Sequence, residues 1–440
     1  MTRFPSDMKQ WLLLAVFCTA TLVRPLIAAA AASPKLDLND GDRVAFLGNT
    51  FVEREQKADY IEAMLISHFP GKNIAFRNLG YSADTATGEA RGLCAGWTQF
   101  EAPDKAFERL RKLVAEFKPT VLLINYGMTE SFFGPEKLPE FVANYNKMLD
   151  ALSAAAGGSP RLVLMSPNYH EDLGKPLPDP SAHNKNLRIY SDAIGKIAAQ
   201  RGALFIDLMA LTERAGKSPD EPFLTWNGIH LTPYGYWRVA LDIERSLGLS
   251  PRYWHIKVEA GGAVDDAAGT KLSDVKVQGD ALRFSATDDL LAVTAMPKDP
   301  LNLTGGFAVE SPLPLPAEAK RTVIVNGLKP GTYELKAGNE ILASGTHDAW
   351  ARGIDVKAGP AGRQAEELRA ALIAKDFDYF NYQRPDNDSY IFAFRKREQG
   401  RNAVEIPQFL PLVEEKEKQI ASLRVPASIA YVLQRAAVAK

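Results

Sequence analysis

The chain has 440 residues, with 52 Lys plus Arg against 53 Asp plus Glu, and 46% of its residues are hydrophobic. That length allows two or three domains, and the composition is that of a globular protein. The near-balance of charge gives no electrostatic basis for a nucleic-acid partner.

The first residues are not fold material. Arg3 and Lys9 flank the apolar stretch Trp11–Val23, and small residues, Ala28–Ser33, follow. This succession reads as a signal peptide over residues 1–32. The expectation is therefore an exported chain, periplasmic or extracellular, with no stable membrane insertion after cleavage. The apolar run falls short of the ~20 residues that a membrane-spanning helix needs. An uncleaved anchor is the competing reading. Cut after Ala32, the chain keeps Cys94 and loses Cys18. No internal disulfide and no cysteine cluster for zinc is then available.

From residue 36 to about 250 the pattern alternates between apolar runs and helical periods. "RVAFLG", residues 43–48, is a strand, and Lys57–Pro70 has helical spacing with a proline stop. Asn73–Gly80 is a strand and Asp104–Phe117 an amphipathic helix. Thr120–Gly127 is a continuous apolar strand. "LPEFVANYNKMLDALSAA" is helical, Arg161–Pro167 is a strand, "NLRIYSDAIGKIAAQRG" is a helix, and "ALFIDL" is a short strand. Fully apolar strands between helices predict a parallel sheet covered on both faces, a three-layer α/β/α domain. Chemistry in such folds lies at the carboxyl ends of the strands.

Past residue 251 the texture changes to alternation rich in turn residues. "TYELKA" and "EILASG" flank Gly338-Asn339 and predict a hairpin. Residues 251–360 therefore read as a small β-sandwich-like module, either a structural partner of the first domain or a polymer-binding unit. Residues 361–440 read as a helical segment that packs back on the α/β domain. The aromatic and charged stretch Asn381–Pro407 has no clean period and reads as a strap over another surface.

Four glycine-bearing strand ends carry the chemistry: "FLGNT", "NLGYSADT", "YGMTE" and "WNGIHLTPYGYW". In this order they resemble the SGNH, or GDSL-like, hydrolase superfamily, over roughly Asp42 to Leu247. The resemblance implies a flavodoxin-like fold and an ester hydrolase; no Gly-rich phosphate loop with Lys and no His/Asp/Glu run of metal spacing is present, so no cofactor and no metal is expected. Its substrate would be a small-molecule or carbohydrate ester, acyl or acetyl. By the family's pattern Thr50 stands at the nucleophile and Asn49 before it. Gly80 and Thr129 stand at the oxyanion donors, and Asn227 and His230 at the acid–base pair. The family has Ser, Asn and Asp where this chain has Thr50, Thr129 and Asn227.

Each change weakens the usual route. Thr keeps a hydroxyl but is β-branched and stiff at χ1. Asn227 carries no charge to stabilise an imidazolium; when the triad Asp of a serine protease becomes Asn, turnover falls by ~10⁴. Losing a side-chain oxyanion donor costs about 10²–10³ in rate. Compensating groups are at hand in the sequence: His170, Glu171 and Asp172 follow a strand, Asp84 and Glu130 flank two of the blocks, and "FVERE" lies one turn past Thr50. Bland roles compete. Thr50 could cap the next helix, and His230 could be a satisfied buried histidine. The alternative function is a catalytically degenerate binding or assembly protein on the same scaffold, with carbohydrate among its ligands.

Overall fold

Residues 44–47 are apolar and buried because both faces of their strand are covered. In the computed structural model they lie in β1 (Arg43–Gly48), an inner strand of a parallel sheet with β2 (Ala75–Asn78), β3 (Val121–Asn125), β4 (Arg161–Met165) and β5 (Leu204–Ile206). The structure describes residues 35–92, 102–216, 221–250, 252–297, 320–384, 397 and 404–436. The strand order is β2-β1-β3-β4-β5, every pair parallel, as expected of a flavodoxin-like domain. The expected signal peptide and Cys94 lie outside the described residues.

Alternate side chains of each strand enter opposite cores. Val44 and Phe46 of β1 and Leu123 of β3 pack with α1 (Thr50–Ala58) and α2 (Tyr60–Ser67). Ala45, Leu47 and Ile124 face the other way. There they meet α3 (Pro103–Phe117), α5 (Leu138–Ala155) and α6 (Ser181–Arg201), and the short α4 (Met128–Ser131) lies beside α6. Fully burying one such aliphatic side chain contributes about 1.5–3 kcal/mol, and this core is built on both faces of the sheet. After β5 come α7 (Leu208–Gly216) and α8 (Pro233–Ser246), the latter packed beside α2.

One predicted helix is in fact two. The expected span from Lys57 is broken at Asp59, which sits in the left-handed region at φ +50°. Asp59 ends α1 by donating its backbone N–H to Glu55 O.

The β-rich module consists of two sheets over one core of Trp254, Ile256, Phe284, Val323, Tyr333 and Leu433, among others. The first contains β6 (Trp254–Glu259), β7 (Val264–Ala268), β10 (Arg321–Asn326) and β13 (Ile354–Asp355). The second contains β8 (Thr270–Gln278), β9 (Ala281–Asp288), β11 (Thr332–Ala337), β12 (Glu340–Thr346) and β14 (Ser428–Arg435). The expected hairpin is the β11–β12 pair. A short α9 (His347–Arg352) buries Trp350 between the sheets.

The C-terminal segment is helical only in part. α10 (Pro360–Gln383) and α11 (Phe409–Leu423) pair with each other, and α10 covers α1, α2 and β2. The chain then returns to the module, where β14 lies between β9 and β11. A wholly helical reading of residues 361–440 misses this strand. Its Tyr431 and Leu433 are buried in the module core, which is the physical reason it pairs there. The start of the aromatic strap is docked: Tyr382 Oη donates to Glu116 at 2.6 Å, and Gln383 Nε2 to Asn78 O at 3.0 Å. Residues 385–396 lie outside the described residues. Among the described residues no helix is long and apolar enough to cross a membrane.

Candidate active site

β1 and β3 are adjacent, and the chain leaves their carboxyl ends toward opposite faces of the sheet. This switch point is where open α/β sheets hold ligands. Asn49, at the end of β1, is the cap of α1: its Oδ1 accepts Phe51 N at 3.2 Å. The capping role considered for Thr50 thus belongs to its neighbour. Thr50 is the first helical residue, and its Oγ1 accepts Ala83 N at 2.9 Å, which ties α1 to the loop after β2.

That loop crosses α1 at very short range. A side chain at Gly80 would put its Cβ 2.4 Å from Glu53 N, so only glycine fits. The Gly80 N–H, expected to face an oxyanion, instead donates to Asn78 Oδ1 at 2.9 Å. The loop is held from below by Glu53, which accepts from Ser82 N and from Arg384 of the C-terminal segment. Glu53 is therefore a support of the loop.

Asp84 departs further from its expected place. It is fully buried, paired with Arg91 Nε at 2.7 Å and accepting Tyr126 Oη at 3.2 Å. Burial raises its pKa while Arg91 opposes the rise. Its carboxylate is therefore committed to a buried ion pair. Glu130 is likewise a brace: its two oxygens accept Ala86 N and Gly127 N, at 2.9 and 3.1 Å. Burial pushes its pKa up to about 7. Thr129, between Gly127 and Glu130 on α4, is half-buried at the same rim.

The block with His230 docks onto the loop after β4 as one piece. Glu171 N donates to Gly228 O at 2.8 Å and Asn168 Nδ2 to Ile229 O at 3.0 Å. The Glu171 carboxylate accepts Leu224 N, Thr225 N and Thr225 Oγ1. Glu171 thus shapes the turn that carries Asn227, and burial raises its pKa.

Asn227 Oδ1 accepts two backbone donors, Ile229 N at 3.3 Å and His230 N at 3.0 Å. Only an oxygen can take both, so the amide orientation is fixed and Nδ2 faces His230 Nδ1 at 2.9 Å. His230 Nδ1 is therefore an acceptor. In the neutral ring the proton sits on Nε2. Burial, helped by the Arg54 charge, lowers the His230 pKa to about 4, so the ring is neutral near pH 7. Trp226 stacks on His230 at 5.5 Å, and Arg54, one turn past Thr50, lies 5.5 Å from the Trp226 ring centre. This stack joins the first and last blocks at one edge. Among the described residues no hydrogen bond joins Thr50 to His230.

His183 and Ser131, not singled out in the sequence, complete the rim. His183, on α6, stacks on Phe132 at 3.8 Å and contacts both Ser131 and His170. No spacing signal marks them, because they come from separate elements. Among the described residues one carboxylate group, Asp59, Glu62 and Asp376, has the spacing of a metal site. Lys375 Nζ already contacts Glu62 and Asp376 there, so an ammonium occupies the cation's place.

A family model for the GDSL-like Lipase/Acylhydrolase family matches residues 47–238. None of the curated proteins matches in sequence. Among solved structures, a gut microbial diltiazem-metabolizing enzyme aligns at 18% identity with a TM-score of 0.72, over 92% of this chain and 100% of its own. An acetylxylan esterase from Geobacillus stearothermophilus aligns at 18% identity and TM-score 0.37, over 49% of this chain and 98% of its own. A GDSL-like lipase from Parabacteroides merdae aligns at 14% and 0.40, over 49% and 100%. The first of these shares the whole three-part fold. Residues 47–238 match the GDSL-like lipase/acylhydrolase model, and the three-layer α/β/α domain they form has an SGNH-like fold.

Proposed function

We propose that the protein is an exported ester hydrolase acting on acyl or acetyl esters of small alcohols and carbohydrates. The observation that carries this reading is the joined rim. The Asn227–His230 turn, the His170 loop and the start of α1 meet at the carboxyl edge of the sheet of a GDSL-family domain. Partly exposed rings line it: Trp226 over His230 is 43% exposed and Phe132 over His183 is 56% exposed. Exposed aromatic surface of this kind marks a binding site, and flat ring faces suit sugar rings. Export is supported by the charged, apolar and small-residue succession of residues 1–32.

The test is hydrolysis of p-nitrophenyl acetate and of acetylated xylo-oligosaccharides by purified protein, with His230→Ala as the site control. Turnover lost in the variant supports the reading, and an inert parent ends it. N-terminal sequencing of protein secreted by a host should start near Ser33; a retained Met1 would reject cleavage.

A binding role has one specific observation in its favour: the Thr50 hydroxyl is bonded to Ala83 and not to His230. An inert parent that binds acetylated sugar, with binding lost in His230→Ala, would establish it.

A further inference from the structure

His230 with its proton on Nε2 cannot take a proton at that atom, so the site needs another base. A chain of hydrogen bonds supplies one. A carbonyl oxygen can only accept, so Ser131 Oγ, 2.7 Å from Met128 O, gives its single proton there. Ser131 Oγ must then accept from His183 Nε2 at 2.8 Å. A neutral His183 has no second proton, so its Nδ1 accepts from His170 Nδ1 at 2.9 Å. The His170 proton is thereby on Nδ1, and its Nε2 keeps a lone pair.

The position of that lone pair is also fixed. Asn184 clamps the His170 backbone from both sides, accepting its N–H at 2.9 Å and donating to its carbonyl at 2.8 Å. The outer edge of the ring, Nε2 and Cδ2, lies against Gly228, where a Cβ would come within 2.7 Å of both atoms. Gly228 stands between Asn227 and His230.

We propose that His170 is the general base of the site, aligned by a Ser131–His183 relay, and that His230 is the hydrogen-bond donor to the developing oxyanion. This rests on the ester-hydrolase reading above. His170 Nε2 removes a proton from water as the water oxygen bonds to the ester carbonyl carbon. The carbonyl π electrons move to oxygen, which accepts from His230 Nε2–H. Collapse breaks the bond to the alkoxy oxygen, and the proton held by His170 passes to that oxygen. The products are one carboxylic acid and one alcohol. Ser131 and His183 act through His170 and are positioning residues.

The rings have the charge state this requires. Burial lowers the His170 pKa from its ordinary value, while Asp172 on the same loop opposes the shift. Burial and then His170 lower His183 to about 4. Both are neutral near pH 7.

The experiment has two arms. Nitrogen-15 NMR of the histidine rings in the parent at pH 7 should show protons on Nδ1 of His170 and on Nε2 of His230 and His183. The reverse on either His170 or His230 overturns the assignment, and this arm needs no variant and no activity. In the second arm, His170→Ala should lower kcat about 10²–10⁴-fold, the range of a lost general base, with KM little changed. It should also remove the acid limb of the pH–rate profile, and added imidazole should restore part of the rate. His183→Ala should lower kcat less and move that limb. A parent inert to every ester ends the hydrolase reading and this role together. An active parent with an unaffected His170→Ala, or an acyl adduct trapped on Thr50, ends only the role.

Discussion

Asn227 determines where the proton of His230 sits, because its oxygen is already committed to two backbone N–H groups. Asn227→Asp removes that constraint: a carboxylate can accept from those donors and from Nδ1–H together. The expected result is a His230 pKa raised from about 4 toward or above 6.5, with the proton moved to Nδ1, both read by NMR titration. An unchanged titration would mean that Arg54 and burial set the ring's state without Asn227. Gly228 offers a second test. At φ +93° it lies in the left-handed region, and its missing side chain leaves room for the His170 ring. Gly228→Ala should displace His170 and lower ester turnover at least tenfold, while a side chain in that backbone conformation costs about 1–2 kcal/mol in stability. Full turnover in that variant would place His170 outside the reacting region. Thr50 and Thr129 are legible in the sequence because each follows a strand end, β1 and β3, whereas Asn227 and His230, expected at a fourth strand end, lie in the loop between α7 and α8 and are marked only by their own "NGIH" block. Asp84 and Gly80 depart from expectation for one reason: a sequence shows which group is near a rim, but not which neighbour has already taken its hydrogen bonds. His183 and Ser131 leave no signal, since the relay joins α4, α6 and the loop after β4.

The dock of α10 is built on charge as well as apolar packing. Lys375 is fully buried and contacts Glu62 and Asp376, with Glu55 and Asp59 of the α1–α2 corner beside them. Burial raises the pKa of Glu55 to about 7 and of Glu62 to about 8, and it raises Asp59 as well. A carboxyl whose pKa is raised on folding binds its proton more tightly in the folded state. Stability then falls as pH rises through the gap, here from about 4.5 to 8. The lowered pKa values of His183 and His230 act in the opposite sense up to about pH 6.5, so Tm should decline between pH 6.5 and 8, and Glu62→Gln should flatten that slope; a Tm that climbs over this range would contradict the account. Lys375→Met removes the buried ammonium and should cost about 3–5 kcal/mol, the range for breaking a buried ion pair, as measured by urea unfolding at pH 9, above the Glu62 pKa of about 8. The helical period announces α10 from its sequence. That period cannot show that a lysine on it is fully buried, because its carboxylate partner Glu62 lies more than 300 residues earlier.

At the scale of the molecule, the chain does not fold as three successive pieces. The β module opens at Trp254, is interrupted by α10 and α11 on the α/β domain, and closes only when β14 enters between β9 and β11. The parallel sheet of the first domain is readable from its apolar runs. The return of β14 is not, since "SIAYVLQR" is one alternating stretch after a helix and its partners lie about 100 and 150 residues away. The linker after β9 adds to the closure: Trp237 Nε1 of α8 donates to Thr294 O at 3.0 Å, and Leu291 lies in the first domain's core. A chain ended at Arg424 keeps every residue of the candidate site and both C-terminal helices but loses β14. Two inner strands, β9 and β11, then become open edges, and the buried places of Tyr431 and Leu433 are left empty. Such edges pair with other chains. The truncated protein should aggregate or show a module that proteases cut within β8 to β12, while full-length protein resists under the same conditions. Equal protease resistance and an unchanged Tm in the truncated form would show that the module's two sheets hold without their last strand.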